Sequence, residues 1–167
     1  VMPQSQDPGL DPMPAILIDP ALIYSTRRAF YPQIGYEDYA TSTLKVTVPA
    51  EWTVVAGGDK TEKVESGARL VTYEQAQDGK YIAFLVSRLI PVAREDSATF
   101  PFDAYAQSRT RRDALKLVDI LKPAVQFYTS LFGQRPYSRL NLALVEDPAP
   151  GGHSPPGLLI LQQRPAL

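Results

Sequence analysis

The sequence predicts an α+β chain: a β-rich saddle or sandwich over the first hundred residues, then a small sheet-plus-helix unit. Three observations predict it. Residues 42–86 repeat apolar runs of strand length between turn residues, whereas one long stretch, 110–132, carries its apolar residues at helical spacing. Sixteen prolines in 167 residues are about twice the usual ~5%, and they favour short elements with firm corners, because proline in a sheet is confined to edges and strand ends. The length fits one ordinary domain or two small ones, and a 44% hydrophobic content is enough for a packed core.

Residues 1–20 hold five prolines and little periodicity, so they read as an extended arm in which only Ala15-Ile16-Leu17-Ile18 has strand character. Leu44, Val46 and Val48 alternate with Thr43, Lys45 and Thr47, the period of a strand with one buried face, and Pro49 ends it. Trp52–Ala56 forms a second strand and Gly57-Gly58-Asp59 a turn. Residues 68–74 and 80–86 then read as an antiparallel pair joined at Asp78-Gly79, a strong hairpin dipeptide. The character changes near residue 99. After the apolar stretch Phe100–Ala106, a helix at about 110–132 places Ala114, Leu117, Val118, Leu121, Val125, Tyr128, Leu131 and Phe132 on one face. Thr110 and Asp113 have capping-box spacing, Gly133 suits the C-terminal cap, and Pro123 predicts a kink. Strands at about 139–145 and 157–162 flank a Pro/Gly loop. The boundaries are therefore 1–99 for the β-rich unit and 100–167 for the second.

Counting excludes several chemistries. Seventeen basic and eighteen acidic residues give a net charge of −1, without the basic stripe of a nucleic-acid binder. Zero cysteines remove disulfides, thiolate nucleophiles and Cys-type zinc sites, and the single histidine, His153, removes every His-pair metal motif. No window reaches the ~18 apolar residues of a membrane helix, the opening residues lack the two regions of a signal peptide, and nothing fixes a compartment.

The remaining candidates are few. Gly152-His153-Ser154-Pro155-Pro156-Gly157 resembles a nucleophile elbow only superficially: Pro156 stands where its second glycine belongs, and Pro155 has no N–H for an oxyanion hole. His153, Glu146 and Asp147 could share a metal only if their loop folded back on itself, so solvated side chains are the expectation. Glu37-Asp38 are adjacent in an extended segment and point to opposite sides, unlike a glycosidase acid pair. The pairs Arg27-Arg28 and Arg111-Arg112 are too few for a phosphate groove, and Tyr31, Tyr36 and Tyr39 read as packing ahead of a strand.

Taken in order, these features resemble a known family. The run Ala29-Phe30-Tyr31-Pro32, then Tyr39–Gly58 with its Val46-Thr47-Val48-Pro49-Ala50-Glu51-Trp52 centre, is similar to the late N-terminal β-domain of the gluzincin zinc aminopeptidases, the aminopeptidase N type. Phe127-Tyr128-Thr129-Ser130-Leu131-Phe132-Gly133-Gln134-Arg135-Pro136-Tyr137 resembles that family's helix end, and the strand 140–145 follows as it does there. Gly151-Gly152-His153-Ser154-Pro155-Pro156-Gly157-Leu158 then stands where the family carries G-[AG]-M-E-N-x-G-[LM]. The resemblance covers about residues 27–167.

It implies a β saddle leading into the start of a thermolysin-like catalytic domain, in a fragment whose zinc-binding HExxH would lie downstream. No catalytic or metal residue is expected in this chain, no cofactor is expected in it, and zinc is expected only in a longer parent. The implied substrate-binding residues are Gly151, Gly152, His153, Ser154, Pro155, Pro156, Gly157 and Leu158. The family's glutamate, which anchors the substrate's α-amine, is Ser154 here, and its asparagine is Pro155, so amine selection is altered or lost. The implied partners are a peptide in the parent's cleft, the rest of the catalytic domain, and a second copy through exposed apolar surface. The alternative is a stand-alone β-rich binding module.

Overall fold

The computed structural model describes residues 20–25, 30–32, 39–97, 100–135, 137–146 and 152–163. It is α+β and β-rich: ten strands in three sheets, with one long helix, among these residues. The strands are β1 (Leu22–Tyr24), β2 (Ala40–Pro49), β3 (Thr53–Ala56), β4 (Asp59–Glu65), β5 (Ala68–Gly79), β6 (Phe84–Ser87), β7 (Ile90–Glu95), β8 (Phe102–Ala106), β9 (Leu140–Val145) and β10 (Leu158–Gln162). The helix α1 runs Arg111–Phe132 after a 3-10 turn at Ser108–Thr110. Among the described residues no helix is long and apolar enough to cross a membrane.

The burial pattern explains the layering. The outer sheet, β2-β5-β4, has one wet face, so β2 alternates: Leu44, Val46 and Val48 turn inward while Thr43, Lys45 and Thr47 are exposed. The middle sheet, β1-β6-β3, is covered on both sides, so β3 and β6 are apolar almost throughout and fully buried. Val54, Ala56, Phe84 and Val86 meet Val71 and Tyr73 of the outer sheet. The alternate residues Val55 and Leu85 meet Tyr105, Ala143, Val145, Leu158 and Ile160 of the third sheet, β10-β9-β8-β7. The opposite face of that sheet, with Phe102, Ala104, Leu142 and Leu144, packs on Ala114 and Val118 of α1. Helix, sheet, sheet and sheet thus stack around three apolar seams.

β8, β9 and β10 are mutually parallel, with α1 serving as the β8-to-β9 crossover, while β7 pairs antiparallel with β8. The third sheet therefore recruits β7 from before the change of character at residue 99.

Three expectations need correction. The Asp78-Gly79 hairpin does not form: β5 runs through Gly79 and pairs with β2 and β4, while β6 lies in another sheet between β1 and β3. The tight hairpin of this region is instead at Ser66-Gly67, both at positive φ, joining β4 to β5. The capping box is also absent: the Thr110 hydroxyl donates to the Gln107 carbonyl, and Asp113 pairs with Lys116 and accepts from Gln163. Finally, the apolar face of α1 packs on the core only from Ala114 to Val125. Tyr128, Leu131 and Phe132 are exposed, and among the described residues the α1 side chains packed on the third-sheet core stop at Val125. The helix otherwise runs 111–132 without a break at Pro123, and Gly133 caps it at φ 78° by donating to the Thr129 carbonyl. The Ala15–Ile18 strand, Arg27-Arg28, Tyr36, Glu37-Asp38, Asp147 and Gly151 lie outside the described residues.

Candidate functional site

The segment 152–158 is placed by the chain on either side of it. β10 is parallel to β9, so the chain must return along an edge, and it does so at His153. The His153 N–H donates to the Ile160 carbonyl at 2.9 Å, and the Ile160 N–H donates back to the His153 carbonyl at 2.8 Å. This reciprocal pair consumes both backbone groups of His153. Backbone groups alternate in direction along an extended strand, so those of Gly152 and Ser154 face away from β10. Both residues are exposed. Among the described residues the segment is the outermost rung of the third sheet, and no backbone hydrogen bond between them takes up the N–H or C=O groups of Gly152 and Ser154.

The far end of the segment is pinned against the first half of the chain. The Leu158 N–H donates to the Pro155 carbonyl, closing a turn with Gly157 at φ 68°. Gly157 lies directly on Gly57-Gly58: a Cβ at 157 would stand 3.2 Å from the Gly57 Cα and from the Gly58 nitrogen. A Cβ on Gly57 would stand 2.1 Å from the Pro156 carbonyl oxygen, so only glycine permits this approach. Asn141 of β9 completes the clamp. It is fully buried, its backbone N–H donates to the Gly157 carbonyl, and its Nδ2 donates to the carbonyls of Ala56 at 2.6 Å and Gly58 at 2.9 Å. One residue thus ties the middle sheet and the 57–58 turn, through its side-chain amide, to the candidate segment, through its backbone N–H.

Between the segment and the middle sheet lies a cavity of about 250 Å³ lined by His153, Ser154, Pro155 and Ile160 on one wall and Ile23, Ser25, Tyr81 and Ala83 on the other. Its polar groups are hydroxyls and one imidazole; among the lining residues there is no carboxylate. Of the tyrosines read as packing, Tyr31 stacks edge-on against Phe30 and its hydroxyl accepts from the Ile82 N–H, while Tyr39 is exposed.

A second polar cluster stiffens the join between the halves. Arg139, nearly buried, pairs with Asp59, Asp96 and Asp103. Burial pushes the Asp103 carboxyl above the usual carboxylate range, and the guanidiniums of Arg139 and Arg94 oppose that rise. The two guanidiniums reach Asp103 only at 3.5 and 3.7 Å, their hydrogen bonds going to Asp59, Asp96 and the Glu95 carbonyl, and Asp103 is not among the residues that line the cavity.

Glu146 is held by the Arg109 guanidinium, and among the described residues no three His, Cys, Asp or Glu side chains converge.

Compared with known proteins, the chain matches no family model. No curated protein matches it either.

Of the residues picked from sequence, the structure brings Gly152, His153, Ser154, Pro155, Pro156, Gly157 and Leu158 together as one edge-and-turn unit. The opposite wall, Ile23, Ser25, Tyr81 and Ala83, carries no motif and was not anticipated. Asn141 carries no signal in the sequence beyond its place in the strand 140–145. Gly57-Gly58, a turn by its sequence, also makes the close approach to Pro156-Gly157.

Proposed function

We propose that this chain is the scaffold and peptide-contacting wall of a gluzincin-like metallopeptidase cleft, without catalytic groups of its own. The observation that carries the reading is the open edge at 152–154, hydrogen-bonded to β10 at His153, at the position where the sequence resembles the family's substrate-binding motif. An extended peptide adding to this edge would donate to and accept from the backbone of Gly152 and Ser154, and a terminal side chain would enter the adjoining cavity. Ser154 offers a hydroxyl where the family has a carboxylate. An ammonium there gains no charge-assisted bond, a loss of ~1.5–3 kcal/mol relative to a paired amine. Free-amine and N-acetylated peptides should therefore bind alike.

The test is an amide-resolved NMR titration of the full chain with N-acetyl tetra-alanine amide. Binding should shift the Gly152 and Ser154 amides, leave the His153 amide protected, and be lost when the peptide's edge-facing nitrogens are methylated. Saturable binding that leaves those two amides unmoved, or no binding at millimolar peptide, would refute the proposal. A stand-alone binding module would instead place the shifts elsewhere.

A further inference from the structure

The third sheet buries two acceptor oxygens side by side. Asp103 of β8 and Asn141 of β9 are opposite each other in the parallel register, on the face that carries Tyr105 and Ala143 toward the middle sheet. They are 4% and 0% exposed. Among the described residues, neither the Asp103 Oδ2 nor the Asn141 Oδ1 has a hydrogen-bond partner. The Asn141 Nδ2 is taken by the Ala56 and Gly58 carbonyls, and Gly58 lies against Gly157, on the β10 side of β9. A planar amide sets its oxygen away from the partners of its nitrogen, and β8 flanks β9 on the other side. Cations stand close by: the Arg139 Nη1 is 3.5 Å from the Asp103 Oδ2, and the Arg94 Nε is 3.7 Å from its Oδ1. Both separations exceed a direct N–H···O bond, yet both charges favour the ionised carboxylate, which has no proton to give Asn141. One hydrogen of the Arg139 Nη1 goes to the Glu95 carbonyl at 3.2 Å, and that nitrogen carries a second.

We propose that Asp103 and Asn141 bind one buried water molecule, which donates to the Asp103 Oδ2 and to the Asn141 Oδ1 and accepts from the Arg139 Nη1. The chemistry is complementary. The two oxygens need donors, water brings two, and three polar partners are typical of a buried water. A polar contact stretched to 3.5 Å is also where a bridging water belongs. A metal cation would suit the oxygens but would face two guanidiniums. The water joins two networks that share no direct bond between these side chains. One is the ion cluster of Arg139 with Asp59, Asp96 and Asp103; the other is the Asn141 clamp on Ala56, Gly58 and Gly157. The turn beneath 155–157 is then tied to the charged seam through both Asp59 and the water.

A high-resolution crystal structure of the full chain grown near neutral pH tests this. It should show one water oxygen within about 2.6–3.2 Å of the Asp103 Oδ2, the Asn141 Oδ1 and the Arg139 Nη1. In solution, the Asn141 side-chain amide protons should give a dipolar cross-peak to a long-lived water, and the Asp103 carboxyl carbon should resonate as the anion. Asp103→Leu, which removes one acceptor and fills its space, should lose that cross-peak. Should the variant fail to fold, the parent chain's crystal structure and spectra decide. A dry site, a water touching only one of the two oxygens, a metal ion in its place, or a cross-peak that survives Asp103→Leu would each overturn the proposal. So would a protonated Asp103 bonded directly to the Asn141 Oδ1. None of these readouts depends on peptide binding at 152–154, so the two proposals fail separately.

Discussion

Replacing Asn141 by aspartate separates the clamp's hydrogen bonding from its shape. The side chains are isosteric, but a carboxylate has no proton for the Ala56 and Gly58 carbonyls, which stand 2.6 and 2.9 Å from the Asn141 Nδ2. Two buried carbonyls lose their donor, at about 1–3 kcal/mol each, and a charge is placed against them in a fully buried site, where uncompensated ions cost ~3–5 kcal/mol. The terms overlap, so about 4 kcal/mol at neutral pH is the expected total. Acid should restore part of it. Burial against two carbonyls raises the new carboxyl's folded-state pKa above its unfolded ~3.9, so its protonated form, which can donate one bond, is favoured by folding. The variant's stability is then best below the unfolded value and is lost as pH rises through the folded one. Urea unfolding of Asn141→Asp and the parent chain at pH 4 and pH 7.5 measures this as a difference of differences. Asn141→Leu is the control: it also strips the carbonyls and deletes the Asn141 Oδ1, which has no partner among the described residues, and its cost of about 2–4 kcal/mol should not change with pH. The reasoning is refuted if Asn141→Asp lies within 1 kcal/mol of the parent at pH 7.5, or if its penalty grows toward acid.

Two more perturbations probe neighbouring contacts. Gly57→Ala sets a methyl 2.1 Å from the Pro156 carbonyl oxygen and 2.9 Å from the Gln75 Oε1, so the 155–157 turn must move. A loss of about 1–3 kcal/mol in urea unfolding is expected, together with exchange broadening of the His153 and Ile160 amides, and unchanged spectra would contradict the close approach. At high pH, burial holds the Tyr73 phenol well above its ordinary value and pushes Tyr105 up to about 12, with Asp103 adding to the latter. Because the folded pKa is the higher one, the stability these phenols contribute is complete below the unfolded ~10 and is lost as pH rises through the folded value. Absorbance at 295 nm should show them ionising only with unfolding, and Tyr105→Phe should move the alkaline midpoint upward; an unmoved midpoint would count against the buried assignment.

The amino-acid order alone determined most of the elements. Period-2 alternation at 44–48, the apolar runs at 53–56, 140–145 and 158–161, and helical spacing at 111–132 are properties of neighbouring residues, which dihedral preference and one-sided burial translate directly into strand or helix. The loop 152–158 was also legible, as a Gly/Pro segment with a motif-like order. Strand pairing was not. Asp78-Gly79 has the chemistry of a hairpin, yet β5 gains more by pairing along β2 and β4, and no local rule registers that gain. The same limit hid the second wall of the cavity, the Asn141 clamp and the bare end of α1. The wall and the clamp depend on which surfaces meet across long stretches of chain: Ile23 and Tyr81 line one cavity with His153, and Asn141 reaches back to Ala56. Periodicity says which face of an element is apolar; only the packed structure says whether anything comes to cover it.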